Sequence, residues 1–162
     1  MKIERKEYFD KLIGYKDKKI IKVITGVRRC GKSTLLIMFQ DYLKTQSVSD
    51  EQIIYINFED YEFESLWDPK ALYAYLKERI IPGKMTYLIM DEIQNVKEFQ
   101  RVVDSFFIKD NIDIYITGSN AYMLSGELST LLTGRFVKIE MLPFSFYEFV
   151  QANAMEENLE RA

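Results

Sequence analysis

The sequence contains no histidine and only one cysteine, Cys30, among its 162 residues. A single cysteine excludes an internal disulfide, and the usual zinc sites need histidines or paired cysteines that this chain does not have. Any metal bound by the chain is therefore expected to have oxygen ligands. Such ligands favour a hard cation, and Mg²⁺ brought in with phosphate groups is the prediction.

The chain also lacks a strong excess of charge and a long apolar run. Its net charge is -3 and its isoelectric point is near 5.2, so the composition does not indicate nucleic-acid binding. No apolar stretch approaches the roughly 20 residues of a membrane span, and the first residues carry charges of both signs, unlike a secretory signal. We therefore expect a cytoplasmic protein without membrane contact. The length predicts one globular domain.

A glycine-rich segment near the N-terminus carries the most specific pattern. Residues 25–34 read Thr-Gly-Val-Arg-Arg-Cys-Gly-Lys-Ser-Thr and match the P-loop pattern G-x-x-x-x-G-K-[ST] at every fixed position. The glycines allow backbone N–H groups to point at a phosphate chain. Lys32 is then expected to reach the β- and γ-phosphates of ATP, and the Ser33 hydroxyl to ligate Mg²⁺. The predicted nucleotide-binding residues are Gly26, Val27, Arg28, Arg29, Cys30, Gly31, Lys32, Ser33 and Thr34.

The residues on either side of this loop support the match. Residues 20–25 form a β-branched apolar run typical of a buried parallel strand, and residues 33–43 are apolar nearly all round, as in a buried helix. A helix beginning at Lys32 would add the positive end of its dipole to the phosphate site. An ordinary glycine turn would not require this context.

A second informative segment is Thr86–Glu92, in which four apolar residues lead into two carboxylates. This is the Walker B pattern, a buried strand that carries acids to the ligand-binding edge of an α/β sheet. Asp91 is expected to hold Mg²⁺, directly or through a water, and Glu92 to accept a proton from the attacking water. A strand that simply ends in two solvated acids is the alternative, and the P-loop upstream favours the catalytic interpretation.

Residues 112–117 predict a further strand, which ends in Gly118-Ser119-Asn120. Polar side chains at that position can orient the attacking water or sense the γ-phosphate. Serine and asparagine are also common turn formers, so both interpretations of Ser119 and Asn120 stay open.

The rest of the chain alternates between helical and strand patterns. Residues 3–17 look helical at first, and residues 14–19 then break into a polar loop. Further helices are predicted over residues 69–80, 96–109 and 127–132, and strands over residues 53–58 and 137–141. This alternation predicts an α/β fold with a parallel sheet. Ser145 and Glu148 form a capping box that would start a last helix. The first helix is expected either to pack on the sheet or to border the adenine base beside the P-loop.

Several motifs together resemble the AAA-superfamily predicted ATPases of bacteria and archaea. They are the P-loop, Asp91-Glu-Ile-Gln94, Ile116-Thr-Gly-Ser-Asn120, Thr133-Gly-Arg135 and Leu142-Pro-Phe-Ser-Phe-Tyr-Glu-Phe149. The resemblance implies a three-layer P-loop NTPase fold, with helices on both faces of a five-stranded parallel sheet of order 5-1-4-3-2. It also implies an N-terminal ATPase domain followed by a C-terminal domain. Residues 1–162 are thus expected to be a single AAA-type domain, a fragment without its lid and C-terminal domain, and weakly active alone.

The resemblance also suggests roles for residues near the last two strands. Asn120 or Ser119 would serve as sensor 1. Arg135 would be an arginine finger that completes the site of a neighbouring copy, which implies a homo-oligomer. A loop arginine is more often part of a surface ion pair, and that alternative stays open.

The sequence therefore predicts a domain that binds and hydrolyses ATP with Mg²⁺ and is coupled to a further domain. A second hypothesis is a nucleotide-dependent switch or scaffold, whose affinity for an unidentified protein partner differs between ATP and ADP. A DNA-stimulated ATPase is a third hypothesis, which the low isoelectric point disfavours.

Overall fold

The structure is a computed structural model that describes residues 5–119, 132–145 and Glu148. Within these residues, helices and strands alternate along the chain. The helices are α1 (Lys6–Gly14), α2 (Lys32–Thr45), α3 (Pro69–Arg79) and α4 (Phe99–Phe107). The strands are β1 (Ile21–Gly26), β2 (Ile53–Asn57), β3 (Thr86–Asp91), β4 (Ile112–Ser119) and β5 (Phe136–Met141). Residues 127–131 of one predicted helix and the helix predicted after Ser145 lie outside the described residues.

The five strands form one parallel sheet in the order β2-β3-β4-β1-β5. This is the order 5-1-4-3-2 counted from the other edge, so the fold prediction is confirmed. Parallel strands all end at the same edge of the sheet. That edge therefore holds the end of β1, where the P-loop begins, and the end of β3, where Asp91 lies, with β4 between them.

The burial of the strands follows their sequence patterns. Every residue of β1 and β3 is buried, as their continuous apolar runs predict for strands covered on both faces. The fifth strand lies at an edge of the sheet, and its exposed positions include Lys138 and Glu140. Alternation of apolar and charged residues predicted this half-exposed edge strand.

Helices cover both faces of the sheet, which gives the three predicted layers. On one face, Leu72 and Leu76 of α3 pack with Phe106 of α4; on the other, Leu12 of α1 packs with Phe39 of α2. These two apolar clusters hold the sheet between them. Among the described residues, no helix combines the length and the apolar character needed to cross a membrane.

One helix begins later than its apolar pattern predicts. The pattern places the start of α4 at residue 96, whereas the helix begins at Phe99. A 3₁₀ turn occupies Ile93–Asn95, and Glu98 has a left-handed backbone with φ of 49°. Because that conformation interrupts a helix, the apolar residue Val96 packs in the core without being helical.

Candidate nucleotide-binding site

The loop between β1 and α2 ends at a helix start that has no side-chain cap. Gly31 precedes α2 with φ of 97°, a left-handed conformation that glycine adopts without strain. No side chain bonds the first N–H groups of α2 from the cap position, and its first turn carries no acidic residue. The N–H groups and the positive end of the helix dipole therefore remain available to an anion.

Close packing explains the other fixed glycine of the motif. A Cβ atom on Gly26 would lie 2.5 Å from the Sγ of Cys30 and 2.7 Å from the carbonyl oxygen of Met141. Cys30 itself is buried beneath the loop, and its N–H donates to the carbonyl oxygen of Val27 at 3.3 Å. Among the predicted binding residues, Cys30 thus supports the loop from the protein interior and does not line the cleft.

The ammonium group of Lys32 is buried against the P-loop backbone. Its Nζ donates to the carbonyl oxygens of Gly26 at 3.2 Å and Val27 at 3.1 Å. The same Nζ lies 3.6 Å from Oε1 of Glu92, and the lysine side chain is only 4% exposed. The structure therefore brings together two of the predicted catalytic residues, one from the P-loop and one from the end of β3.

Asp91 is fully buried, and both of its carboxylate oxygens accept a hydrogen bond. Thr117 donates its hydroxyl to Oδ1 at 2.5 Å, and Tyr55 donates its hydroxyl to Oδ2 at 3.0 Å. Burial, and then the Asp91 carboxylate, raise the pKa of Tyr55 above its ordinary value, so its phenol stays protonated and remains a donor. Neighbours on β2 and β4 thus fix the orientation of Asp91.

The main chain of Glu92 is held in an unusual conformation. Its φ is 55°, in the left-handed region that costs a residue with a side chain about 1 kcal/mol or more. The N–H of Glu92 donates to the hydroxyl of Thr117 at 2.9 Å. Thr117 therefore joins the backbone of one predicted catalytic residue to the carboxylate of the predicted metal ligand.

Lys32 and Glu92 face a polar cleft of about 380 Å³, and Asp91 lies buried behind Glu92. It is lined by Arg28, Arg29, Gly31, Lys32, Ser33, Thr34, Glu59 and Glu92. Arg28 is largely exposed and lies 3.8 Å from Glu59 across the mouth of the cleft. The two arginines and the lysine outnumber the two glutamates of the lining, and this positive excess favours a phosphate chain.

A second, smaller cavity of about 100 Å³ lies on the other side of the start of α2 and is more apolar. Its lining is Arg5, Gly31, Thr34, Leu35, Met38, Met141 and Phe144. The predicted packing role of the first helix is confirmed, because Tyr8 and Leu12 are buried. Arg5, just before that helix, also reaches this cavity.

Arg5 connects three segments of the chain. Its guanidinium donates to the carbonyl oxygens of Cys30 at 3.1 Å and Leu142 at 2.6 Å. It also pairs with Glu148 at 3.1 Å and lies 5.2 Å from the ring centre of Phe144. The P-loop and the segment that follows β5 are thus tied to the same side chain.

The remaining predicted site residues lie elsewhere or beyond the described residues. Ser119 ends β4 and is paired in register with Gly26, next to the P-loop. Asn120 lies outside the described residues. Arg135 forms an ion pair with Asp104 and directly precedes β5. It therefore lies at the amino end of the parallel strands, whereas the P-loop of the same chain lies at their carboxyl end. The surface ion pair is therefore observed, and the role of Arg135 toward a neighbouring copy stays a prediction.

Three polar residues that touch the acids received no role from the sequence. They are Tyr55, Gln94 and Thr117, and each bonds Asp91 or Glu92. The sequence contains a partial signal for Thr117, because alternation along β4 places it on the same face of the sheet as Asp113 and Tyr115. Only the register between β3 and β4 shows that Thr117 lies beside Asp91 on that face.

The residues present fit a magnesium-bearing phosphate group. Within the described part of the chain, no three His, Cys, Asp or Glu side chains are placed to hold a metal ion by themselves. Ser33 and Asp91 offer oxygen atoms, and Mg²⁺ is commonly held by one or two protein oxygens together with phosphate oxygens and waters. The chemistry of these donors therefore suits a cation that enters with a nucleotide.

Residues 18–150 match the family described as AAA domain. The chain belongs to this family. A relative from Haemophilus influenzae, an uncharacterized protein, is 44% identical over 155 residues, which are 95% of this chain and 39% of that relative. MJ1544 from Methanocaldococcus jannaschii, also uncharacterized, is 38% identical over 81% of this chain and 28% of its own length. This AAA domain thus spans well under half of these relatives.

Solved structures of other AAA-type proteins share the fold at low sequence identity. PCH-2 of C. elegans matches 98% of this chain and 49% of its own, with a TM-score of 0.64 and 14% identity. AMPPCP-bound DnaA from Aquifex aeolicus matches 96% of this chain and 50% of its own, with a TM-score of 0.55 and 15% identity. Together with the family match, these neighbours support an AAA-type P-loop fold built for nucleotide binding.

Proposed function

We propose that this AAA domain binds ATP together with Mg²⁺ and hydrolyses it. The observation that carries the proposal is the convergence of Lys32, Asp91 and Glu92 at one edge of the sheet, although they come from separate segments. Lys32 and Glu92 lie within 3.6 Å of each other, and Asp91 is linked to Glu92 through Thr117. A purely structural role would not require a buried lysine, two buried acids and an uncapped helix start in one place.

Each residue has a role that follows from its chemistry. The Lys32 ammonium and the N–H groups at the start of α2 would bind the β- and γ-phosphates. Ser33 and Asp91 would hold Mg²⁺, which neutralises charge on the phosphates when it is bound. Each oxygen of Asp91 accepts one hydrogen bond from a side chain and keeps a lone pair for the metal or its water. Glu92 would take the proton of the attacking water.

The small apolar cavity is the proposed site of the adenine base. It adjoins Gly31, so a base placed there would remain connected to phosphates in the polar cleft, which Gly31 also lines. Phe144 and Met38 offer apolar surface for a flat ring, and Arg5 offers hydrogen-bond donors. This proposal gives the segment before α1 the nucleotide contact that its position beside the P-loop suggests.

Two substitutions and one control test the proposal. Lys32→Ala should abolish ATP binding in calorimetry, because it removes the only lysine that faces the cleft among the described residues. Glu92→Gln should bind ATP with near-normal affinity but lose at least about 100-fold in turnover, because an amide cannot take the proton. Lys44→Ala, on the exposed end of the same helix, should change neither. Normal turnover by Glu92→Gln would contradict the assignment of the base.

A nucleotide-dependent switch is the second candidate function, and the contacts of Arg5 favour it. They connect the P-loop carbonyl of Cys30 to Leu142 and Glu148, so a change in the loop can reach the segment after β5. Hydrogen exchange of residues 142–145 should then differ between ATP and ADP. Equal exchange with both nucleotides would argue against a switch that uses this connection. We propose that the same contacts of Arg5 couple the nucleotide site to a further domain.

A further inference from the structure

The side chain of Gln94 makes a contact with Glu92 that no step above uses. Gln94 lies in the 3₁₀ turn directly after β3. Its Nε2 donates a hydrogen bond to Oε2 of Glu92 at 2.5 Å. The other oxygen of that carboxylate, Oε1, faces Lys32 at 3.6 Å. The two oxygens of the proposed base therefore have two different partners, a hydrogen bond from Gln94 and an ion-pair contact with Lys32.

The other end of the Gln94 amide has no such contact. Its Oε1 is buried and has no hydrogen-bond partner among the described residues. A carboxylate can only accept hydrogen bonds, so the amide has to present its NH₂ group to Glu92, and this leaves the oxygen without a donor. A buried, unpaired acceptor lowers stability. The contact with Glu92 is thus made at a cost elsewhere on the same side chain.

The two partners of the Glu92 carboxylate would respond differently to a bound nucleotide. A phosphate group and Glu92 would compete for the single ammonium of Lys32. Gln94 has no such second ligand, so it can keep its hydrogen bond while Lys32 turns to the phosphates. The backbone of Glu92 is already fixed by Thr117. Gln94 is therefore the group that can fix the side chain as well.

We propose that Gln94 is a positioning residue that holds the carboxylate of Glu92 in the orientation needed for proton transfer. The inference rests on the proposed function, because it takes Glu92 as the base. Gln94 acts through Glu92 and does not itself take a proton. Its removal should therefore affect the chemical step and leave nucleotide binding unchanged.

The kinetic test replaces Gln94 by methionine, which has a similar length and no hydrogen-bond donor. Gln94→Met should lower kcat by about 10- to 100-fold and leave the KM for ATP within about twofold. Gln94→Glu should lower kcat further, because it puts a second negative charge beside Glu92. Asn95→Ala is the control, since Asn95 lies in the same turn but donates to the carbonyl oxygen of Phe58 at 3.1 Å. An equal loss of kcat in the control would mean that the turn as a whole is required, and would overturn the role.

A second measurement does not depend on turnover. In a Glu92→Ala background the NH₂ group of Gln94 has lost its acceptor, and its Oε1 already lacks a donor. Replacing Gln94 by methionine should therefore remove two polar groups that have no hydrogen-bond partner. Gln94→Met should therefore raise Tm more in that background than in the wild type. Equal shifts in the two backgrounds would show that Gln94 and Glu92 are not coupled, and would overturn the proposal.

The two measurements separate this inference from the function on which it rests. If the wild-type protein neither binds nor hydrolyses ATP, the proposed function fails, and the positioning role of Gln94 fails with it. If the wild type hydrolyses ATP and Gln94→Met does so at the same kcat, the function stands and the positioning role is wrong. A loss of kcat together with unequal Tm shifts supports both.

Discussion

At the scale of single residues, two glycines have opposite surroundings. Gly26 leaves no room for a side chain, whereas no atom lies within 4 Å of a Cβ placed on Gly14 at the end of α1. Gly26→Ala should lower the free energy of unfolding by about 1–3 kcal/mol, because Cys30 and the backbone at Met141 would have to move. Gly14→Ala should raise it by up to about 1 kcal/mol, because alanine restricts the unfolded chain.

Urea unfolding of the two variants beside the wild type measures this difference. The backbone carbonyl of Met141 belongs to β5, so it cannot rotate away as a long side chain could. Equal effects of the two substitutions would mean that the P-loop adapts to a methyl group, contrary to its close packing against β5.

The sequence predicts the charged members of the site better than the residues that orient them. The roles expected of Lys32, Asp91 and Glu92 rest on fixed motif positions, and the parallel order of the strands was enough to expect them at one edge. The contacts of Thr117 and Gln94 depend on strand register and on side-chain rotamers. A single sequence fixes neither, so those partners emerged only from the structure.

At the scale of elements, the segment after β5 is held by a charged contact that depends on pH. Glu148 accepts the N–H of Ser145 at 2.6 Å and returns its own N–H to the Ser145 hydroxyl at 3.2 Å, which confirms the predicted capping-box contacts. Those bonds, and then Arg5, lower the pKa of Glu148. A lowered carboxylate pKa means that the stabilisation is complete above the ordinary pKa of glutamate and is lost as the pH falls through the lowered value.

Glu148→Gln should therefore lower the free energy of unfolding by about 1 kcal/mol at pH 7, a value kept small because Glu148 is partly solvated. The difference from wild type should shrink as the pH falls below about 4. Thermal unfolding at pH 7 and pH 3.5 tests this. Glu7→Gln, which removes an exposed i,i+4 partner of Lys11, should have little effect at either pH. A pH-independent difference for Glu148→Gln would contradict the role of its charge.

Element boundaries show where local pattern is insufficient. The apolar spacing from Val96 to Phe107 fits one helical face, yet the first three residues of that stretch are not in α4. The left-handed backbone of Glu98 stops the helix there, and glutamate gives no local signal for such a conformation. The predicted bounds of the strands lie closer to the observed ones, because an apolar run that is covered by helices on both faces has few other structures to adopt.

At the scale of the whole molecule, a buried ion pair joins the neighbouring strands β1 and β4 of the sheet. Lys22 of β1 and Asp113 of β4 are bonded to each other and are almost completely buried. Asp113 also accepts the hydroxyl of Tyr115 at 2.6 Å and the N–H of Asp17 at 2.9 Å. Burial lowers the pKa of Lys22, and the charge of Asp113 opposes that shift. The apolar pattern around Lys22 predicted a buried strand, but not the partner of its charge.

Lys22→Met should lower the free energy of unfolding by about 3–5 kcal/mol, because it leaves the Asp113 carboxylate buried without a counter-charge. Adding Asp113→Asn should recover part of the loss, since the amide is neutral and still offers an acceptor to Tyr115. Lys44→Met, which breaks an exposed pair with Asp50, should cost about 0–1 kcal/mol in the same denaturant titration. A double variant less stable than Lys22→Met would contradict this account.

The position of Arg135 limits the symmetry that an assembly of this domain can have. Arg135 and the P-loop lie at opposite ends of the same sheet, so one copy would offer its arginine from the back while the next receives it at the front. A two-fold axis makes every contact twice, so a symmetric pair would need each Arg135 to reach the P-loop of the other copy at the same time. Two copies whose sheets run antiparallel to each other meet that requirement, whereas copies stacked in the same direction would form a closed ring or an open helix.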